Sequence, residues 1–329
     1  MIPAPDWLKA QRLEKLQADY LLGIGILGAA GIACAFEVGG AYGTSIIVAF
    51  LFYAVVTLGW CLQAGHGGMF SLAPTAMVMI SAYVCAVATN VGINIWLAVM
   101  FGIVAATILG WGLALATSKL KSHYYALATL AAAEILRLVI TNEYEITGGE
   151  AGLRTSPLYA GAPGIVVALI FGVTLVAMLT MLLFALKGMP GMVIQAIRDD
   201  DEIAAIRGIN VPQVKTIIVM VGSALMGFGG AIYVHYIQLA TPQMGSLFQT
   251  TFILAIGIIG GIRTMSGSII GSAAIIALQE VLRDYPFTHM GITAVAILVV
   301  CLFAPAGVAG LVLSKIKSVS RVVSSEQST

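Results

Sequence analysis

Charged residues are scarce in this chain, at only 9% of the sequence, whereas hydrophobic residues make up 60% and the mean hydropathy is +1.00. Soluble globular domains carry about 25% charged residues, so the composition is far from that of a soluble domain. The net charge of +1 gives no electrostatic basis for a nucleic-acid partner or an acidic substrate. The chain is therefore predicted to be a polytopic membrane protein.

Sequence patterns for catalysis and metal binding are also missing. No Walker-type GxxxxGK[ST] sequence occurs, so the chain cannot hydrolyse ATP by that route. The four cysteines stand singly in apolar runs without CxxC or Cys/His spacing, and the four histidines are separated from one another. Because no Ser/His/Asp arrangement or metal-ligand cluster is legible, we expect no enzymatic activity, no metal and no cofactor.

Apolar segments, in contrast, fill most of the chain. A membrane-spanning helix needs about 20 apolar residues, and this length divides the sequence into ten predicted spans. They cover residues 21–36, 44–63, 68–90, 95–117, 124–142, 164–186, 215–238, 250–262, 267–283 and 290–313. The eighth and ninth are short and flank the glycine-rich turn 260–267, so they are either two tilted spans or a pair of re-entrant half-helices. The predicted fold class is all-α, with about 8–10 transmembrane helices.

Basic residues predict the orientation of these spans. Lys and Arg accumulate in the cytoplasmic loops of membrane proteins. With the N-terminus in the cytoplasm, 13 of the 16 Lys and Arg residues fall on the inner side, and Glu143, Glu145 and Glu150 fall outside. We therefore predict that both termini are cytoplasmic.

The two ends of the chain differ from the apolar middle. Residues 1–20 alternate apolar and basic side chains and are predicted to form a helix on the cytoplasmic membrane surface. The basic arm, the apolar run and Ala33-Cys34-Ala35 also imitate a signal peptide, so cleavage of residues 21–35 stays open. Residues 21–313 then form the transmembrane domain, and residues 314–329 are predicted to be a disordered cytoplasmic tail.

One polar segment, residues 187–215, interrupts the apolar pattern. It is predicted to hold an amphipathic helix over 192–207 that ends at Gly208, with Pro212 near the start of the next helix. Isoleucines recur in it at i,i+3 spacing: Ile194 with Ile197, and Ile203 with Ile206. The segment is either a solvated connection between two spans or a docking surface. Four isoleucines would be exposed in a purely aqueous loop, which favours a docking surface.

Charged residues also occur inside the fifth span. Glu134 and Arg137 have i,i+3 spacing and therefore share a helix face. A lone charge in the middle of a membrane costs about 2.5–3.5 kcal/mol, so such residues face a partner or a wet cavity. Two interpretations stay open: an ion pair that only fixes packing, or a polar patch along the path of a zwitterionic solute. Beyond this pair, Gly148 and Gly149 either present backbone N–H groups to a carboxylate or form a turn.

Four stretches of the sequence together form a known pattern. Ala204-Ala205 followed by Gly208 and Pro212 looks like the coupling loop of an ABC-importer permease. The other three are the pattern from Gly65 through Gly68 to Ser71-Leu72, the central stretch from Tyr124 to Gly149, and the late glycines Gly260, Gly261, Gly267 and Gly271. With these motifs, the chain resembles the branched-chain amino acid permease family of ABC importers, in its LivM-like branch, from about residue 44 to residue 312.

The chain departs from the family pattern at a few positions. Ala73-Pro74 stands where relatives commonly have Gly-His, and Ser81 and Arg263 replace glycines. Pro74, inside the predicted third span, is expected to remove one helical hydrogen bond and kink or unwind the helix. Because two of these positions lie near the expected translocation path, the departures leave the substrate open.

The resemblance implies a non-catalytic permease subunit of an ABC importer in a bacterial-type inner (plasma) membrane. Its implied partners are a sister permease, two cytoplasmic ATP-binding subunits, an extracytoplasmic solute-binding protein and membrane lipid. Implied ATPase-docking residues are Ile194, Ile197, Arg198, Asp201, Glu202, Ala204, Ala205, Arg207 and Gly208. Implied substrate-path residues are Ser71, Pro74, Glu134, Arg137, Asn142, Thr147, Gly148 and Gly149.

The implied cargo is a branched-chain or related amino acid, carried at the expense of ATP hydrolysed on partner subunits. Urea, amides and aromatic acids are alternatives within the same family. An ion-coupled secondary carrier is the alternative from another class, because its broken helices would resemble the short eighth and ninth spans.

Overall fold

A computed structural model describes residues 16–27, 40–117, 120, 122–158 and 164–283. The helices are α1 Leu16–Leu27, α2 Gly40–Cys61, α3 Pro74–Asn90, α4 Ile95–Thr117, α5 Ser122–Asn142, α6 Tyr144–Thr147, α7 Gly164–Lys187, α8 Met189–Asp199, α9 Asp201–Ile206, α10 Val211–Ile237, α11 Leu247–Gly260 and α12 Gly267–Val281. Two short antiparallel strands, β1 Leu153–Arg154 and β2 Leu239–Ala240, pair Leu153 with Ala240. The predicted span 290–313, the predicted tail 314–329 and most of the predicted surface helix 1–20 lie outside the described residues.

The all-α fold is confirmed. Five of the described helices are long and apolar enough to cross a membrane, namely Tyr42–His66, Ile95–Thr117, His123–Asn142, Gly164–Lys187 and Val211–Ile237. α1, α3, α11 and α12 are shorter apolar helices. β1, within residues 143–158, pairs with β2 just after the C-terminal end of α10, whereas the polar segment directly precedes the N-terminal end of α10, so the two lie at opposite ends of that helix.

The start of the third span differs from the prediction of residues 68–90. A π-helical turn, Leu62–His66, follows α2, and residues 67–73 form a loop before α3 begins at Pro74. Of the two predicted consequences of Pro74, the kink is therefore wrong, whereas the predicted span is unwound before this residue. Proline lacks a backbone N–H, and the first turn of a helix has no partner for that group, so Pro74 is accommodated where the helix starts.

The polar segment forms two helices, so the single helix predicted over 192–207 is also wrong. Asp200 lies between α8 and α9 in extended conformation, with φ −161° and ψ 112°. Its carboxylate accepts hydrogen bonds from the backbone N–H groups of Glu202 at 2.9 Å and Ile203 at 3.0 Å, which caps α9. The other predicted boundaries are confirmed: Gly208 follows α9 with φ +83°, and Pro212 lies in the first turn of α10.

α10 lies at the centre of the bundle and packs against α2, α3 and α4. Glycines allow this close approach, as in other membrane helix pairs. A Cβ at Gly230 would overlap the carbonyl oxygen of Val78 on α3, and a Cβ at Gly227 would lie 2.5 Å from Ala106 of α4. The Ser81 hydroxyl donates a hydrogen bond of 2.5 Å to the Gly227 carbonyl across the same interface.

The two short helices, α11 and α12, form a tight antiparallel hairpin. A Cβ at Gly260 would overlap the carbonyl oxygen of Gly267, and one at Gly271 would overlap that of Ile256. The helices contain 14 and 15 residues, fewer than the roughly 20 of a full perpendicular span.

The N-terminal helix α1 is attached to this hairpin. The buried Asp19 carboxylate accepts hydrogen bonds from the backbone N–H groups of Met265 at 2.5 Å and Ser266 at 2.9 Å. Tyr20 of α1 shares a 2.9 Å hydrogen bond with Thr180 of α7. α1 is continuous across residues 20 and 21, where the sequence predicted the surface helix to end and the first span to begin.

Candidate functional site

The polar segment, α8 and α9 with their connections, presents an apolar surface that differs in part from the predicted docking face. Ile203 is 49% exposed and Ile206 is 85% exposed. Asp201, Glu202, Ala205, Arg207 and Gly208 are also exposed, and Ile194 and Arg198 are partly buried. These residues are available to a docked protein.

Two predicted docking residues do not belong to that surface. Ile197 and Ala204 are each 1% exposed and pack with Val211 in a small cluster that joins α8, α9 and α10. Because α9 turns away from α8 at Asp200, the two isoleucine pairs do not continue on one face. Including Ile197 and Ala204 in the docking face was therefore wrong, and their role is to hold the segment together.

Two methionines that the sequence prediction missed are also exposed in the polar segment. Met189 is 72% exposed and Met192 is 47% exposed, both in the first turns of α8. Their i,i+3 spacing places them on one face of the helix. This spacing was legible in the sequence, but the predicted helix began only at residue 192.

One ion pair joins α9 to α10. Lys215 of α10 pairs with Asp201 of α9, whereas Arg198 pairs at 3.2 Å with Asp199, its neighbour within α8. A cleft of about 710 Å³ separates this segment from the ends of α4 and α5. Charged residues of both signs, the Thr117 hydroxyl and Tyr125 line it. The Lys215–Asp201 pair and the buried cluster of Ile197, Ala204 and Val211 thus attach the segment to α10, with an open cleft beside it.

Glu134 and Arg137 of α5 form an ion pair with each other, as the interpretation in which they fix packing requires. Arg137 contacts Glu134 through both Nη2 to Oε1 at 2.5 Å and Nε to Oε2 at 3.0 Å. The side chains stay partly exposed, 44% for Glu134 and 29% for Arg137. Arg137 lies next to the turn Pro242–Gly245, since a Cβ at Gly245 would be 3.6 Å from Arg137 Cγ. The pair is therefore formed and at the same time accessible from outside the chain.

The turn beyond α5 uses its own polar groups. The Gly148 N–H donates to the Tyr144 carbonyl at 3.1 Å, and the Gly149 N–H donates to Thr147 Oγ1 at 3.3 Å. Gly148 and Gly149 have φ of +73° and +61°, which favours glycine. Of the two alternatives from the sequence, the turn is confirmed, and these N–H groups are not free to bind a carboxylate. Asn142 is exposed and donates to its own helix at Leu138, at 2.7 Å.

The remaining predicted path residues lie between the polar segment and the ion pair. Ser71 and Pro74 are buried, Leu72 between them donates its N–H to Thr129 of α5, and Ser71 Oγ accepts a 3.3 Å hydrogen bond from the Ala73 N–H. The structure thus brings Glu134 and Arg137 together but does not gather the predicted path residues into one cavity of this chain.

Comparison with known proteins adds the family. The family described as branched-chain amino acid transport system / permease component matches residues 42–304. The chain is 21% identical over 301 residues to the high-affinity branched-chain amino acid transport system permease protein LivM of Salmonella typhimurium, covering 83% of this chain and 69% of that protein. It is 24% identical over 281 residues to the corresponding LivH protein of Escherichia coli, covering 78% and 91%.

A more distant organism provides a further relative. The probable branched-chain amino acid transport permease protein LivM of Methanocaldococcus jannaschii is 27% identical over 237 residues, covering 69% of this chain and 67% of that protein. No solved structure matches the chain. Since the family match extends over most of the described helices, the chain belongs to the branched-chain amino acid permease family, LivM-like, and is a multi-pass protein of the bacterial-type inner (plasma) membrane.

Proposed function

We propose that this chain is the non-catalytic permease subunit of an ABC importer for branched-chain or related amino acids. ATP is hydrolysed on two partner subunits, and an extracytoplasmic binding protein delivers the solute. The named function of the LivM and LivH relatives supports the substrate class. The observation that carries the proposal is the exposed apolar surface of the polar segment, which an ion pair and a buried apolar cluster attach to one end of a bundle of membrane helices.

The polar segment suits the docking of a soluble subunit. Met189, Met192, Ile203 and Ile206 all have exposed side chains. Covering one large aliphatic side chain stabilises a complex by about 1.5–3 kcal/mol. The exposed charges around them, including Glu202 and Arg207, add specificity and orientation more than affinity. Both termini and this segment then lie in the cytoplasm, in agreement with the distribution of basic residues.

The exposed face of α5 suits a second permease. Only 22% of the central stretch of α5 is buried within the chain, compared with 61% for α10. The exposed face carries the large apolar side chains Tyr124, Leu127, Ile135, Leu138 and Val139. The same helix carries the accessible Glu134–Arg137 pair, which lipid would solvate poorly. A sister permease against this face would cover the apolar side chains and enclose the ion pair in a path between the two subunits.

The charge pair also supports an amino acid as the cargo. A zwitterion carries an ammonium and a carboxylate, each of which complements one member of the Glu134–Arg137 pair. Urea and simple amides are neutral and offer no such match, and an aromatic acid lacking an ammonium group complements Arg137 alone. We therefore favour amino acids over the other solutes of this transporter class.

Transport would follow from two conformations of the helical bundle. Closure of the ATP-binding subunits would push the polar segment, and the helices attached to it would change between outward-open and inward-open states. Such coupling requires that ATP and solute each favour a different state of the same bundle.

The test is the purification of this chain from its native membrane in mild detergent, with mass spectrometry of the proteins that accompany it. We expect two ATP-binding subunits and one sister permease, and amino-acid-stimulated ATP hydrolysis once the binding protein is added. Recovery of the chain alone, with uptake into vesicles in the absence of ATP, would instead establish the ion-coupled carrier.

A further inference from the structure

The loop between α2 and α3, residues 67–73, together with the preceding π-helical turn, contacts three separate parts of the molecule. These are α8 of the polar segment, the turn between α11 and α12, and the middle of α5. We propose that this α2–α3 loop transmits the movement of the polar segment to α5 and to the α11–α12 hairpin. This inference rests on the proposed function, because it assumes that an ATPase moves α8.

The first contact is between the loop and α8. Gly68 has φ +70°, and a Cβ there would lie 3.1 Å from Arg198 Cγ and 3.5 Å from Arg198 Cα. The glycine thus allows the loop backbone to touch the helix directly at the aliphatic stem of Arg198. A displacement of α8 toward the membrane would therefore press on the loop through the Cα and the first two methylene groups of Arg198.

The second contact is between the π-helical turn and the α11–α12 hairpin. A Cβ at Gly65 would overlap the carbonyl oxygen of Ile262, so backbone lies against backbone here. Ile262 lies in the turn that joins α11 to α12, between the glycine-rich ends of the two helices. Movement of the π-helical turn is therefore passed to the hairpin by direct steric contact.

The third contact is a hydrogen bond to α5. The Leu72 N–H donates to Thr129 Oγ1 at 2.9 Å, and the Thr129 hydroxyl donates to the Ala126 carbonyl, also at 2.9 Å. Thr129 is fully buried. It precedes Glu134 on the same helix by about 7.5 Å along the axis, from a rise of about 1.5 Å per residue. The loop is thus attached to the helix that carries the accessible ion pair.

The loop is stiff enough to transmit movement. Trp60 of α2 donates its indole N–H to the Ser71 carbonyl at 2.8 Å, and its ring packs edge-to-face on Phe70 with centroids 5.4 Å apart. A Cβ at Gly257 of α11 would lie 2.6 Å from the Trp60 ring, so α11 encloses the indole from another side. Because these contacts are buried and close-packed, the loop shifts as a unit with its neighbours.

The glycines and the serine of this loop are those that carry part of the family resemblance, and substrate binding does not explain them. Ser71 is buried and bonded within the loop, and Gly68 faces α8 rather than the exposed part of α5. Thr129 is therefore assigned as a positioning residue, which acts through Leu72 rather than on the solute.

The experiment compares Thr129→Val with Thr129→Ser in the complete transporter, reconstituted in vesicles with its ATP-binding subunits, sister permease and binding protein. Valine keeps the shape of threonine but removes the acceptor for the Leu72 N–H, whereas serine keeps the hydroxyl. Solute uptake, ATP hydrolysis and the amount of assembled complex are measured on the same vesicles. We expect Thr129→Val to lower the solute taken up per ATP hydrolysed by about fivefold or more, at the lower end of typical couplings between sites.

Each outcome decides between the proposals. A lower ratio for Thr129→Val, with wild-type assembly and a wild-type ratio for Thr129→Ser, supports the transmission. If the uptake per ATP of Thr129→Val equals that of the wild type, the transmission is overturned. This holds even if less complex assembles, because a loss of assembly alone means that Thr129 only stabilises the structure. If the wild-type transporter shows no solute-stimulated ATP hydrolysis, the proposed function itself has failed, and the transmission with it.

A second variant tests the contact with α8 independently. Gly68→Ala places a methyl group 3.1 Å from Arg198 Cγ and strains the backbone at positive φ. We expect the same fall in uptake per ATP as for Thr129→Val. Gly92→Ala is the matched control, since Gly92 also has positive φ, at +91°, and nothing lies within 4 Å of its Cβ position. Equal ratios for the two alanine variants would contradict the contact with α8.

Discussion

Replacing Ile206 with alanine separates docking from folding more sharply than other changes in the polar segment. The Ile206 side chain is 85% exposed at the end of α9, so it contributes little to the stability of the chain itself. Burying a whole isoleucine is worth about 1.5–3 kcal/mol, which leaves about 2 kcal/mol to be gained when an ATP-binding subunit covers it. Ile206→Ala is therefore expected to weaken binding of that subunit by about 30-fold.

Ile197→Ala provides the matched control, because it is the same substitution in the same segment. Ile197 is 1% exposed and packs against Ala204 and Val211. Its truncation leaves a cavity and is expected to lower the free energy of unfolding by about 2–5 kcal/mol. Ile206→Ala should change that free energy by less than about 0.5 kcal/mol.

The assay has two measurements. The ATP-binding subunit is titrated against the detergent-solubilised permease pair to obtain the dissociation constant, and thermal unfolding of the pair gives the stability. Wild-type affinity for Ile206→Ala, or a loss of stability as large as that of Ile197→Ala, would refute the assignment of this surface.

Three further predictions follow from other parts of the chain. Ala205→Arg introduces a bulky charge on the docking surface and should reduce uptake by about tenfold or more without reducing the amount of protein in the membrane, as measured by transport assays and immunoblotting. Exchanging Glu134 and Arg137 keeps an ion pair on α5 but reverses the positions of its charges. We expect uptake of a zwitterionic solute to fall below that of the wild type because the pair lines the path, whereas wild-type uptake would mean that the pair only fixes packing. Gly230→Ala should lower stability by about 1–3 kcal/mol because its methyl group overlaps the backbone of α3, whereas Gly112→Ala on α4, with nothing within 4 Å, should raise it by up to about 1 kcal/mol.

The membrane helices were largely predictable from the sequence because membrane spans depend on long-range composition. A run of about 20 apolar residues has few alternatives in lipid, where every backbone group needs an internal partner. The predicted spans 95–117 and 164–186 therefore agree with α4 and α7 to within one residue. Glycine at position 208 and proline at position 212 marked helix ends correctly for a different, local reason, because each residue type restricts or permits particular backbone angles.

The polar segment was less predictable because its shape depends on one side chain. Asp200 is one of several consecutive acidic residues, and nothing in the sequence indicates that its carboxylate turns back to cap α9. With that cap the helix breaks, and Ile197 and Ala204 point into the interior instead of outward. The contacts of the α2–α3 loop were equally invisible, since Gly68 and Arg198 are far apart in the sequence and meet only in the folded bundle.

The bond between α1 and the α11–α12 turn has a consequence for biogenesis. Asp19 is separated by 246 residues from Met265, whose backbone N–H donates a hydrogen bond to the Asp19 carboxylate. At about 5–20 residues per second, a ribosome needs roughly 10–50 s between making the two. During that interval the hairpin has not yet been made, so the Asp19 carboxylate lacks its two backbone N–H donors and only water can hydrogen-bond to it. α1 should therefore stay near the membrane surface while the central helices assemble, and its final docking is one of the last events of synthesis.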